Sequence, residues 1–317
     1  VAEHLVWVPG GEVSLPIHVS KTVVDEQPNE PDIRVGLYSA DTTNNQVQLT
    51  ADGDYLIVNG EGKTLAELDA GDETTITFSQ DKYHCTADGT KLTSNSHIRF
   101  VPAEGQVVFE LLNYEHRPAW NTDLNDNNFR SKIEVRYSTT TEKLWVINEL
   151  PLEQYLRGVA EASNDDYPEY LKALIVAERT YAQYHLNTGT KHADEHYTID
   201  ATYDQVYRGY NFEVRAPKIA DQIDETTGLM VTYEDEVVVT PYFSHTDGRT
   251  RSWEEVWSGG PYPWLTSVPD PASEGLAMLG HGVGLSALGA RDLASEGSTY
   301  DAILSYFYQD IVLKIIY

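Results

Sequence analysis

Residues that could do chemistry are unevenly spread in this chain. Three common catalytic patterns are missing: a Gly-x-Ser-x-Gly elbow, a phosphate loop and a His-Glu-x-x-His helix. The single cysteine, Cys85, has no cysteine-hydrolase signature around it and cannot build a multi-thiolate zinc site. His192 and His196 are spaced i, i+4 with Asp194 and Glu195 between them, a spacing that could share a metal on a helix. Gly189 and the polarity of that stretch point to a loop instead, so no metal is expected there. Arg179 sits in a helical pattern among apolar neighbours, where it could pair with a carboxylate or hold a substrate acyl group. His281 lies between Gly280 and Gly282, a tight turn in which the backbone could approach a ligand closely.

These residues need a scaffold, and the chain is long enough to build one. Its 317 residues are 41% hydrophobic, with 21 Tyr and 6 Trp, which argues against disorder. The net charge is −28, from 50 acidic and 22 basic residues. Such a surface repels phosphate backbones, so no nucleic-acid partner is expected. Its plainest consequence is solubility. No run of about 18 apolar residues occurs, so no helix is expected to span a membrane.

Pattern divides the chain in three. Residues 1–32 read as an N-terminal segment and linker, with two Pro and three acids in the run Val23 to Pro31. Residues 33–115 read as a β-rich subdomain that opens on an alternating strand, Ile33–Tyr38. Short apolar runs at Tyr55–Val58, Thr74–Phe78, His97–Val101 and Gln106–Leu112 follow, separated by turn residues. Residues 116–317 read as a domain of mixed strands and helices. A polar loop covers 115–132, then a hairpin pairs Ile133–Tyr137 with Lys143–Ile147. Helical spacing starts at Leu152 and takes in Tyr155, Leu156 and Val159. A longer helix is predicted from Pro168 to about Leu186, and others at Val214–Glu225, Leu285–Glu296 and Tyr300–Tyr308. Strands are predicted at Leu229–Tyr233 and Val237–Tyr242. The fold class is therefore α+β, a mixed strand and helix domain with a β-rich inserted subdomain.

Four segments together resemble the catalytic domain of the stage II sporulation protein D and amidase-enhancer family. They are Asn148-Glu149-Leu150-Pro151-Leu152-Glu153-Gln154-Tyr155-Leu156-Arg157-Gly158-Val159-Ala160-Glu161, then Leu171-Lys172-Ala173 with Ala177-Glu178-Arg179-Thr180-Tyr181-Ala182. Next come Asp204-Gln205-Val206-Tyr207-Arg208-Gly209 and Gly280-His281-Gly282-Val283-Gly284-Leu285-Ser286. The resemblance covers about residues 145–317. It implies a catalytic glutamate, which in the family precedes the helix Lys by eleven residues and the Arg by eighteen. Glu161 keeps both gaps to Lys172 and Arg179, whereas Asp165 and Asp166 do not.

The resemblance implies a lytic transglycosylase acting on peptidoglycan glycan strands, with Glu161 as general acid and then base. It implies Arg179, Gln205, Tyr207, Tyr242, Ser244, His281, Gly282 and Ser286 as residues that bind substrate or shape the site. Tyr207, Tyr242, Trp253 and Trp257 could stack on sugar faces or belong to the core. Some relatives carry thiolates where this chain has Tyr203-Asp204 and Thr246-Asp247-Gly248, so no structural zinc and no cofactor are expected. Glu178 stands where the family usually has a small residue. It could be a surface neighbour of Arg179, or it could alter the site. A cell-wall amidase is an implied partner, and an extracytoplasmic location is expected, with a signal peptide missing from this sequence. Two rival readings remain: a non-catalytic glycan-binding module that stimulates an amidase, and a hydrolytic glycosidase with Asp165 or Asp166 as its second carboxylate.

Overall fold

A computed structural model describes residues 29–40 and 45–317. Residues 1–28 of the expected N-terminal segment lie outside the described residues. Twelve strands come first among those described: β1 (Asp32–Ala40), β2 (Gln46–Ala51), β3 (Tyr55–Asn59), β4 (Thr64–Leu68), β5 (Thr74–Ser79), β6 (Lys82–Ala87), β7 (Thr90–Ser94), β8 (Ile98–Pro102), β9 (Val108–Leu111), β10 (Asn128–Arg130), β11 (Lys132–Ser138) and β12 (Lys143–Pro151). Then follow α1 (Leu152–Arg157), α2 (Pro168–Thr188), β13 (Ile199–Asp200), α3 (Gly209–Arg215), α4 (Pro217–Glu225), β14 (Leu229–Tyr233), β15 (Glu236–Val237), β16 (Tyr242–Phe243), α5 (Trp253–Val256), β17 (Leu285–Ser286), α6 (Ala287–Ser295), α7 (Tyr300–Phe307) and β18 (Val312–Ile315). The fold is α+β.

Two large sheets hold the first half. A seven-stranded sheet has the order β13-β1-β12-β11-β8-β3-β4, and a six-stranded sheet the order β10-β9-β2-β5-β6-β7. Strands from both sides of residue 115 enter each of them. In β1 the residues Ile33, Val35 and Leu37 point into the core, as alternation requires, and β1 pairs antiparallel with β12 from Asp32 opposite Pro151. Asn128–Arg130 fall in the stretch expected to be loop, yet they form β10 by pairing with β9.

The helices gather in the second half. Helix α2 starts with Pro168 in its first turn and ends at Gly189, whose φ of 62° suits a left-handed cap. It buries Leu171, Leu174, Ile175 and Val176, each worth roughly 1.5–3 kcal/mol if fully withdrawn from water. Three sequence expectations need correction. The helix expected at Val214–Glu225 is two helices, α3 and α4, because Pro217 cannot continue α3 and instead opens α4. The strand expected at Val237–Tyr242 is broken into β15 and β16, which lie in different sheets, with Pro241 unable to donate to a ladder between them. The helix expected at Leu285–Glu296 starts at Ala287, because Leu285 and Ser286 pair with Tyr242 and Phe243.

A buried ion pair joins α1 to α2. Arg179, fully buried on α2, donates from Nε and Nη2 to the two carboxylate oxygens of Glu153 on α1, at 2.8 and 2.7 Å. Glu153 Oε1 also accepts from Gly228 N at 2.9 Å and from the Tyr317 hydroxyl at 2.8 Å. Arg179 reaches further to the Leu229 carbonyl and Thr226 Oγ1. A buried charge robbed of its partner is expensive. Glu153→Gln is therefore expected to cost about 3–5 kcal/mol in urea unfolding. Pairing it with Arg179→Met should cost less than the sum of the two single changes.

Candidate functional site

Glu161 is placed by a short contact between two loops. After α1 ends at Arg157, Val159 bridges antiparallel to Tyr207. Ala160 N donates to the Val206 carbonyl at 2.7 Å, and Arg208 N donates to the Gly158 carbonyl at 2.8 Å. Gly158 makes this approach possible, since a Cβ there would fall 2.5 Å from the Tyr207 ring. Val206 N then donates to Glu161 Oε1 at 2.8 Å. Burial raises the Glu161 carboxyl above its ordinary range, and the hydrogen bond from Val206 opposes this only in part. The helix predicted from Leu152 through Val159 thus stops at Arg157, and Glu161 lies four residues beyond it.

Glu161 lines a groove of about 1080 Å³. One wall is α2, which contributes Tyr170, Leu174, Tyr181, Tyr184, His185 and Thr188. Another part of the lining is aromatic. Trp253 packs at 4.6 Å from both Trp257 and Tyr262, and Trp257 lies 4.8 Å from the His281 ring. Phe243 covers the other side of that ring at 5.3 Å. Burial pushes the imidazole down to about 4, with the Tyr242 backbone opposing, so His281 is neutral near pH 7. Val283 N donates to its Nδ1 at 3.1 Å, which leaves the ring proton on Nε2.

The His281 wall depends on the pairing of β16 with β17. Gly284 lies between them with φ of 82°, and a Cβ there would come within 2.1 Å of the Pro241 carbonyl oxygen. Gly284→Ala is expected to disrupt this wall. Nuclear magnetic resonance should show the Phe243, Trp257 and His281 side chains displaced, or the chain unfolded.

Of the residues singled out from sequence, Glu161, Tyr242, Ser244 and His281 meet in the groove. Gln205 stands behind it: its Nε2 donates to the Tyr242 hydroxyl at 3.1 Å, and its Oε1 accepts from the Tyr155 hydroxyl at 2.8 Å. Tyr207 is buried, stacked 5.1 Å from Tyr155, and donates to Asn148 Oδ1 at 2.7 Å. Gly282 accepts from Arg251 N through its carbonyl, and Ser286 caps α6 by accepting from Gly289 N. Arg179 is spent on Glu153 within the core and does not line the groove. Trp253 and Trp257 both line it.

Other groove residues were not singled out from sequence. Lys191 and Arg291 supply cations, each already paired. Lys191 contacts Asp204 and accompanies His192, whose Nε2 lies 2.8 Å from the same carboxylate. Arg291 binds Asp166 at 2.8 and 3.1 Å. Tyr203 is 90% exposed on the rim, and Tyr262 completes the aromatic wall. The cue available for them was their type alone, since their partners are remote in sequence. Burial raises Asp204, but hydrogen bonds from His192, the Asp200 amide and Lys191 win and hold it near 2. Among the described residues, no group of three or more His, Cys, Asp or Glu is arranged to hold a metal ion.

The class of this domain follows from comparison with known families. Residues 140–233 match the family model described as Stage II sporulation protein (SpoIID), and it is this segment that is similar to the stage II sporulation protein D and amidase-enhancer family. Among individual proteins, it is 30% identical to stage II sporulation protein D of Bacillus subtilis over 138 residues, 39% of this chain and 40% of that protein. It is 36% identical to an uncharacterized protein of Brachyspira hyodysenteriae over 144 residues, 44% of this chain and 37% of that one. It is 34% identical to the amidase enhancer of Bacillus subtilis over 102 residues, 32% of this chain and 13% of that protein. The matched region spans 40% or less of each of these relatives.

Proposed function

We propose that this chain cleaves the glycan strands of peptidoglycan as a lytic transglycosylase, at the bond from N-acetylmuramic acid to N-acetylglucosamine. The observation that carries this reading is Glu161, a carboxyl held toward its protonated form by burial, at the wall of a long aromatic-lined groove. The family register singles out the same residue. Its proton goes to the glycosidic oxygen as the bond to the anomeric carbon breaks. The carboxylate so formed takes a proton from the muramic acid 6-hydroxyl, whose oxygen closes on that carbon to leave a 1,6-anhydro ring. One carboxyl serves both steps, so no second carboxylate is needed.

The hydrolytic alternative with Asp165 or Asp166 as second carboxylate is disfavoured by where those acids lie. Asp165 is exposed beside Lys218 at 2.7 Å, Asp166 is held by Arg291, and Asp204 is tied to Lys191 and His192. The aromatic wall suits sugar faces, and neutral His281 lines the same groove. The relative named amidase enhancer favours a second reading, a glycan-binding module that assists a cell-wall amidase. Either reading places the protein outside the cytoplasm, in the envelope or secreted. Among the described residues no helix is long and apolar enough to cross a membrane.

Mass spectrometry of purified glycan strands, with and without stem peptides, separates these readings. Wild type is expected to release anhydromuramyl products, and Glu161→Gln to lose at least about 10²-fold in rate. Reducing-end products would point to hydrolysis. Binding without cleavage by both proteins would leave the module reading in place of the enzyme.

A further inference from the structure

One aromatic side chain of the groove is not accounted for by packing. Tyr203 lines the groove and is 90% exposed, more than any other large hydrophobic side chain among the described residues, Trp120 at 73% being next. A lone exposed aromatic is ordinary on a protein surface. Tyr203 differs in its place and in its support. The other rings of this lining lean on one another. Trp253 packs on Trp257 and Tyr262, Trp257 on His281, and Tyr181 and Tyr184 on His185. Among the described residues no ring packs against Tyr203, so both of its faces are open.

The turn that carries Tyr203 is fastened at both ends. Asp200 Oδ1 accepts from Thr202 N and from Tyr203 N, each at 2.8 Å. In return, Asp204 Oδ2 accepts from Asp200 N at 2.8 Å. Asp204 is itself held by Lys191 and His192, and Asp200 pairs with Gly36 of β1. On a backbone fixed in this way, the tyrosine has only its own two torsions to lose when something stacks on it. The same segment runs on to Gln205, which bonds the Tyr242 hydroxyl, and to Val206, whose amide holds Glu161. Three residues of chain span at most about 11 Å. One short, pinned piece of backbone therefore sets the distance from the ring on the rim to the half-buried Glu161 carboxyl.

We infer that Tyr203 is a stacking platform for a sugar of the glycan strand further along than the one at Glu161, and so a residue that sets which strand lengths are bound well. The inference rests on the reading of the groove as a glycan-strand site. A pyranose carries faces of C–H bonds between its hydroxyls. Laid on a free aromatic ring, such a face leaves water without stranding a hydroxyl, which can still point to solvent. A sugar on the exposed rim is not the one whose bond reaches the half-buried carboxyl, so it is a neighbouring unit of the same polymer. The groove, at about 1080 Å³, exceeds the roughly 300–1,000 Å³ of ordinary small-molecule pockets and has room for more than one sugar. Strands long enough to span from ring to carboxyl engage both, and shorter fragments engage one of them.

The test uses the whole chain with Glu161→Gln, so that strands are bound and not cut, labelled with ring-¹³C tyrosine and mixed with glycan strands stripped of stem peptides. The signal of Tyr203 is the one that Tyr203→Phe removes. It is expected to shift as strands are added. Binding measured by calorimetry is expected to weaken about 3–10-fold in Tyr203→Ala and to survive in Tyr203→Phe, which keeps the ring. A side chain this exposed can be truncated without loss of the fold. With Glu161 restored, the loss in Tyr203→Ala should fall on KM and shrink as the strands are shortened. Strands that bind without moving the Tyr203 signal, or that bind Tyr203→Ala as tightly as its parent, overturn the inference and leave the reading of the groove standing. If stripped strands bind none of these proteins and wild type cuts none, the reading of the groove fails and the inference falls with it.

Discussion

The Arg179–Glu153 pair is the constraint on which the functional half of the molecule depends. It is buried and bidentate, and its carboxylate also holds the backbone at Gly228 and the hydroxyl of Tyr317. Four distant parts of the chain thereby meet at one pair of charges. The consequences run in both directions. Fixing α1 fixes the start of the loop that ends at Glu161, and fixing α2 fixes a wall of the groove. Arg suits this place better than Lys would, because its planar fork satisfies both carboxylate oxygens while its remaining N–H groups reach Thr226 and Leu229.

The acids of this chain fall into two populations. Most buried or half-buried ones are answered by a cation: Glu153 by Arg179, Asp126 by Arg208 and Arg215, Asp166 by Arg291, Asp204 by Lys191. These fasten elements together. Glu161 has only a backbone amide, and buried Asp270 accepts only from the Thr246 and Ser273 hydroxyls, while no side-chain partner is seen for Glu178 among the described residues. With a net charge of −28 there is no shortage of carboxylates, so the distinction lies in which of them are denied a cation. Withholding one is the simplest way for a fold to keep a carboxyl protonated near neutral pH.

Much of this was legible in the sequence, for definite reasons. Helix α2 announced itself by Pro168 and its apolar stripe, β1 by alternation, and the β11–β12 hairpin by its turn. The split at Pro217 was also written there, and the amphipathic pattern on both sides disguised it. The two-residue strands β13, β16 and β17 carry no periodic signal, because pairing across long sequence separation is their whole content. Register singled out Glu161, which lines the groove, and the apolar neighbours of Arg179 left open the carboxylate pair that it makes, while nothing local could reveal that Glu178 is buried. Sequence gives adjacency along α2, and only packing decides which neighbour of a helical residue becomes its environment. The aromatic wall was half visible, since Trp253 and Trp257 stood out and Tyr262 did not.

The strand β1 carries a last consequence. It lies between β12 and β13 in the large sheet, although it comes from far upstream. The region matched by the family model, 140–233, contains β12 but neither of its sheet neighbours, β1 and β11. It also contains β14 without β18. Cut out alone, that region would present a nine-residue strand with both edges bare, a template for sticking to other chains. The stretch that kinship makes recognisable is therefore not a unit that can stand by itself. Its sheet is completed by strands that lie outside the region matched by the family model.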